Sequence, residues 1–146
     1  MPKKNCRLTP RDVSELILLM IDYPIDKKTT RKMCSGKNPT KPGTQIYGVR
    51  DNAGKLVAVM TATFNYVFPH NDGKNGRMVH ISGAFSHKNA RGQGYSRRLI
   101  EAIEKDARRY FKADYLCCDS TANELYTGSG FIHAPADETR LWKPLT

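Results

Sequence analysis

The stretch that most constrains this chain is a glycine-bearing turn, Ala90, Arg91, Gly92, Gln93, Gly94, Tyr95, Ser96, set between a β-rich run and a long helical one. Upstream, Arg77 to Phe85 reads as a strand, with Met78, His80, Ser82 and Ala84 expected on one face. Downstream, Leu99, Ala102, Ile103, Ala107 and Tyr110 recur at helical spacing. The start of a helix leaves backbone N–H groups unpaired and carries a partial positive charge, so a diphosphate can accept their hydrogen bonds. Gly92 and Gly94 remove the Cβ atoms that would keep such a ligand at a distance, and Ser96 offers a hydroxyl. Arg91, Arg97 and Arg98 add charge beside it. On its own the turn reads equally well as a tight connection. A Walker loop would require Lys followed by Ser or Thr after the second glycine, and a dinucleotide fingerprint would require a third glycine and an early βαβ unit; neither is present.

The rest of the chain sets this turn in an α/β context. Thr9, Pro10 and Asp12 form a helix start, and Val13, Leu16, Ile17 and Met20 give that helix one apolar face, with Pro24 expected to halt it. Residues 26–44, rich in Lys, Arg, Thr, Pro and Gly, read as a long basic loop or a short helix between loops. Gln45 to Arg50 and Lys55 to Phe68 read as an antiparallel pair joined through Asp51 and Gly54. After the long helix, Asp114 to Asp119 reads as a buried strand, Thr121 to Thr127 as a short helix, and Arg140 to Pro144 as a strand closing the sheet.

A length of 146 residues fits one domain, 1–146, without an internal repeat or a convincing linker. The longest continuous apolar run, Leu16 to Ile21, falls far short of the ~20 residues of a membrane helix, and no signal-peptide core follows Lys3 and Lys4. The expected location is the cytoplasm. Cys117 and Cys118 are adjacent on a strand and point to opposite faces, so they do not form a metal pair; the four cysteines read as reduced, packing thiols and no metal is expected. The net charge of +10 suits nucleic acid, acidic protein or a polyphosphate ligand, and does not choose among them.

Arg91, two residues, Gly94, one residue, Ser96 resembles the coenzyme A signature of the GNAT (GCN5-related N-acetyltransferase) superfamily, with Ser96 where the family has Gly or Ala. Leu125, Tyr126, three residues, Gly130, Phe131 resembles that family's downstream motif, at the right distance from the first. The resemblance covers residues 77–131. It implies a GNAT acyl-CoA N-acyltransferase fold: a central, mostly antiparallel sheet of six to seven strands, flanked by about four helices, with the cofactor core at about 77–131 and the acceptor side at about 9–68.

It also implies an acetyl-CoA-dependent N-acetyltransferase acting by direct attack of a primary amine in a ternary complex. Ala84, Phe85 and Ser86 are expected to pair their backbone with the pantetheine arm. Arg91, Gly92, Gln93, Gly94, Tyr95, Ser96 and Arg97 are expected to wrap the diphosphate, and Asn123 to reach the pantetheine or the nucleotide end. Tyr126 matches the proton donor to the departing thiolate. The first candidate for the base is His80, which shares its strand face with Met78, where some relatives carry a catalytic Glu; a water-mediated route stands beside it. Asp119 stands where the family's usual Asn lies, and His87 reads as a solvated loop residue. The acceptor is a small-molecule amine, a peptide N-terminus or a lysine, with homodimerisation left open. Basic residues at Lys27, Lys28, Arg31, Lys32, Lys37 and Lys41 allow a nucleic acid-linked acceptor. The competing reading is a GNAT-fold binding protein, catalytically weak, that holds RNA or another polyanion on its basic surface.

Overall fold

A computed structural model describes residues 6–69, 75–119, 123–134 and 137–145. Its centre is one six-stranded sheet in the order β1-β2-β3-β4-β6-β5. The strands are β1 (Gly43–Arg50), β2 (Leu56–Pro69), β3 (Asn75–Ser86), β4 (Tyr115–Asp119), β5 (Ile132–Ala134) and β6 (Asp137–Pro144). Among the described residues only β3 and β4 run parallel; the other four pairings are antiparallel. Arg7 adds an isolated antiparallel bridge to Tyr47 on the outer edge of β1. The helices are α1 (Val13–Leu19), α2 (Lys27–Lys32), α3 (Tyr95–Asp106) and α4 (Asn123–Thr127).

The hairpin forms where turn chemistry placed it. The Asp51 carboxylate accepts from the N–H groups of Ala53 and Lys55, both at 2.9 Å, and Gly54 takes φ +83°. Alternation then divides β1 and β2 between two cores. Tyr47, Val49, Met60, Ala62 and Phe64 meet α3 on one face, while Ile46, Leu56 and Val59 meet Leu8, Val13 and Leu16 on the other. On α3, Leu99, Ile100 and Ile103 are buried at helical spacing. A π-helical turn, Ala107–Phe111, carries Ala107 and Phe111 into the same core.

Four expectations are corrected. The first helix ends at Leu19, well before Pro24, so proline does not halt it; the Asp12 carboxylate does accept from the Thr9 N–H at 2.7 Å, as the start signal required. β4 is not buried on both faces: Leu116 and Cys118 are buried, whereas Tyr115 and Cys117 are half-exposed and Asp119 is exposed. β6 does not close the sheet, because the short strand β5, too brief to show a period, lies outside it. Ala84 does not continue the face of Met78, His80 and Ser82, because the pairing with β2 shifts register there. Thr121, the expected start of the short helix, lies outside the described residues.

One buried network joins the two ends of this architecture. Arg7, on the N-terminal segment, donates from Nη1 to Asp106 Oδ2 of α3 at 2.7 Å, and the Tyr47 hydroxyl of β1 donates to the same oxygen at 2.7 Å. Arg7 also donates to Gly36 O and Asn38 Oδ1, so it fixes the α2–β1 connection as well. All three side chains are almost wholly withdrawn from water. Removing one partner of such a buried pair leaves the other charge uncompensated. Asp106→Ala is therefore expected to destabilise the fold by about 3–5 kcal/mol in chemical denaturation, with Asp106→Asn costing less because it retains an acceptor for Tyr47. Equal and small losses in both variants would show that the network contributes little.

Candidate active site

The site begins where β3 and β4 part. Their parallel ladder runs from Met78↔Tyr115 to Ile81↔Cys118, but β3 continues to Ser86 alongside β2. Thr61 pairs with Ser82 and Val59 with Phe85, so Gly83 and Ala84 together oppose Met60 in a β-bulge. Gly83 takes φ +58°, and a Cβ there would meet Thr61 Oγ1 at 3.1 Å, so both backbone and space favour glycine. Beyond Ile81, β4 no longer covers the outer edge of β3. Ala84, Phe85 and Ser86 lie on that edge, where an extended ligand can pair with main-chain N–H and C=O groups.

The edge runs directly into the glycine turn. His87 is not merely solvated: its N–H donates to Val57 O at 2.7 Å, and its Nδ1 accepts from Asn89 N–H at 3.2 Å, capping the 3₁₀ turn Lys88–Ala90. Gly92 and Gly94 follow with φ +79° and +78°, and a Cβ built on either meets nothing within 4 Å. Glycine is thus required there by conformation, and the space in front of the turn is open. Gly94 is the N-cap of α3, which has no side-chain cap, and Arg98 N–H to Gly94 O at 3.1 Å is the first bond of the helix. The amides of Tyr95, Ser96 and Arg97 precede that bond, so they have no partner within the helix. Arg91 and Arg97 are exposed beside them, while Arg98 lies over the Tyr95 ring at 5.7 Å. Gln93 folds back instead, its Nε2 donating to Asn89 O at 3.2 Å. A hollow of about 840 Å³ extends from Arg91 and Phe85 to Leu18 and Tyr23 below α1.

A second groove, of about 650 Å³, opens across β3, β4 and β6 on the sheet face opposite α3. Met78, Tyr115, Cys117 and Trp142 form much of its wall, with Tyr115 and Trp142 edge-to-face at 6.0 Å. His80 lies in it, with Nε2 3.4 Å from Asp119 Oδ2, and Arg140 Nε donates to Asp119 Oδ1 at 3.1 Å. Arg140 first, and then His80, hold the Asp119 carboxyl below the usual carboxylate range. Burial pushes the Cys117 thiol up to about 11, so it is a neutral wall rather than a thiolate nucleophile. The sequence signalled His80 but not the part of Asp119, Arg140, Tyr115 or Trp142. The alternation of Tyr115, Cys117 and Asp119 was the available sign.

Tyr126, on α4, is 5% exposed and meets Phe131 edge-to-face at 5.4 Å. Its carbonyl accepts from Phe131 N–H at 3.0 Å, which links the two residues of the downstream motif. Burial, with a smaller contribution from Cys118, pushes its hydroxyl up to about 12. The group is therefore a protonated donor at neutral pH. Asn123 is the first residue of α4, and its side chain lies outside what the structure describes. Among the described residues no group of three His, Cys, Asp or Glu is placed to hold a metal ion, and no helix is long and apolar enough to cross a membrane.

A strand edge exposed beside its parallel neighbour thus leads through a glycine turn to an uncapped helix start. The family model described as Acetyltransferase (GNAT) family matches residues 17–131, and the chain belongs to that family. No curated protein matches the chain in sequence. Among solved structures, a probable N-acyltransferase from Enterococcus faecalis is 19% identical with a TM-score of 0.65; it covers 86% of this chain, which spans only 31% of that longer one. A predicted acetyltransferase with acetyl-CoA from Clostridium acetobutylicum is 16% identical with a TM-score of 0.65, covering 88% of this chain and 89% of its own. Arabidopsis thaliana NAA60 in complex with acetyl-CoA is 12% identical with a TM-score of 0.66, covering 93% of both chains. At these identities the likeness shows the fold.

The open space at Gly94 yields a direct test of the turn. Gly94→Glu is expected to cost about 1–2 kcal/mol of stability through the left-handed backbone and to abolish acetyl-CoA binding in calorimetry, since it sets a carboxylate before the helix start. Undiminished affinity in a folded variant would remove the turn from the site.

Proposed function

We propose that this protein transfers the acetyl group of acetyl-CoA to a primary amine by direct attack within a ternary complex. The observation that carries the reading is the continuity from the open edge of β3, through the Gly92 and Gly94 turn, to the uncapped start of α3. Ala84, Phe85 and Ser86 would pair with the amide-bearing pantetheine arm, and the amides from Gly92 to Arg97 would hold the diphosphate, with Arg91 and Arg97 countering its charge. Acetyl-CoA supplies an activated thioester carbonyl and a thiolate leaving group. Asn123 belongs to this proposal through its place at the start of α4.

Two residues supply the proton traffic. An ammonium ion has no lone pair, so the amine must lose a proton before attack, and His80, in the groove beside the parting strands, is the proposed base. Tyr126 is the proposed acid that gives a proton to the departing thiolate. With its hydroxyl at about 12, it remains protonated well above neutrality. The groove over β3, β4 and β6 would take the acceptor, whose chemistry is a primary amine on a small molecule, a peptide N-terminus or a lysine. Arabidopsis thaliana NAA60 has also been solved in complex with a bisubstrate analogue, at 15% identity and a TM-score of 0.64, which supports a shared ternary arrangement in this fold. One domain over 1–146 would carry the whole reaction.

Thiol release from acetyl-CoA, measured over a panel of small amines, peptide N-termini and lysine peptides, tests the activity. Tyr126→Phe is expected to lower kcat by about 100-fold, the lower range for a lost general acid, while the Kd for acetyl-CoA stays within about twofold. Because burial raises the Tyr126 pKa, the protonated donor is lost only as pH rises through about 12, so the wild-type rate should not decline across the ordinary tyrosine range near ~10. Equal turnover by Tyr126→Phe and wild type would exclude this donor.

A further inference from the structure

Three neighbouring strands of the open sheet face place three ionisable side chains in a row. His80 on β3 is registered with Cys117 on β4, and Asp119, two residues along β4, projects to the same face as Cys117. Asp119 in turn is registered directly with Arg140 on β6. The result is a chain of contacts, His80 Nε2 to Asp119 Oδ2 at 3.4 Å and Arg140 Nε to Asp119 Oδ1 at 3.1 Å, at the end of the groove nearest the parting of β3 and β4. Each Asp119 oxygen has a different partner.

We propose that Asp119 is a positioning residue that holds His80 as its Nε2–H tautomer and so leaves the Nδ1 lone pair as the proton acceptor for the incoming amine. This deepens the proposed function and rests on its assignment of His80 as the base. An imidazole has one N–H and one lone pair when neutral, and the partner of one nitrogen decides which nitrogen carries which. A carboxylate can only accept, so the Asp119 oxygen selects a protonated Nε2. Arg140 occupies the other oxygen from the opposite side, which fixes the carboxylate plane and keeps it ionised. Without Asp119 the ring would exchange tautomers and turn about its bonds in a groove also lined by Thr63, Met78 and Cys117. As the acceptor ammonium is deprotonated before attack, its proton passes to Nδ1, an imidazolium forms with both nitrogens protonated, and the Asp119 carboxylate stabilises that cation without taking its proton.

The contact is partly solvated, with His80 and Asp119 side chains 32% and 48% exposed, so its effect is in orientation more than in stability. Asp119→Asn keeps the size and an oxygen but can present an NH₂ to Nε2, which would favour the opposite tautomer. The structure therefore separates the effect of Asp119 from simple loss of packing.

The test has two arms. Nitrogen-15 NMR of the His80 ring, with no acceptor present, should show the proton on Nε2 in the wild type and a shift toward Nδ1 in Asp119→Asn. A wild-type ring protonated at Nδ1 overturns the proposal, whatever the turnover data say. In the second arm, thiol release from acetyl-CoA is measured with phenethylamine as the probe amine. Asp119→Asn should lower kcat by about tenfold with the acetyl-CoA Kd unchanged, and His80→Ala with Asp119→Asn should be no slower than His80→Ala alone. Additive losses in the double variant sink the inference. Full activity in His80→Ala would instead sink the assignment of His80 as base, and a large loss in His80→Ala beside full activity in Asp119→Asn would leave that assignment and remove Asp119.

Discussion

Everything at this site follows from a pairing that stops early. β3 and β4 share four registered positions, and then β3 continues on β2 alone. A parallel pair needs a long crossover, and here the crossover is the turn and helix from His87 through α3 and its π-helical end. The helix packs Leu99, Ile100 and Ile103 onto the sheet, so its start is held beside the point where the two strands separate. The bulge at Gly83 and Ala84 bends the strand at the same level. An unpaired strand edge, ordinarily a hazard, here leads directly to a set of helix-start amides.

The two faces of the sheet divide the work. The face covered by α3 is a dry core that includes Phe64, Phe111 and Leu116. The opposite face is covered by α1 over β1, β2 and Phe85 near the end of β3, and is left open around Met78, His80, β4 and β6. This unequal covering makes the groove, and it explains why β4 alternates in burial instead of reading as an interior strand. Asp106, in the dry core, is held by Arg7 and Tyr47, whereas Asp119, in the groove, is held by Arg140 and His80. Carboxylates of one chemistry thus serve rigidity in one place and an open site in the other.

The basic character of the chain is dispersed among separate tasks. Arg7 ties the N-terminal segment to α3, Arg50 joins Asp12 and Glu15 of the α1 region to the hairpin, and Arg108 bonds Glu104 and the carbonyl of Leu145. Arg91 and Arg97 are exposed at the helix start. A net charge cannot report this division, because it contains no positions.

Local patterns were sufficient for the hairpin at Asp51 and Gly54, the glycine turn, the apolar face of α3, and the motif joining Tyr126 to Phe131, since each depends on residues near one another in the chain. The glycines at 92 and 94 could be read because the missing Cβ is a property of the residue itself. What only the tertiary structure decided was the insertion of β6 between β4 and β5, the phase change at Gly83 and Ala84, and the row of His80, Asp119 and Arg140. Those depend on register between strands distant in sequence, where a shift of one residue exchanges the faces of every side chain. The chain's own order wrote the glycine turn; the sheet alone brought the acidic and basic groups of the groove together.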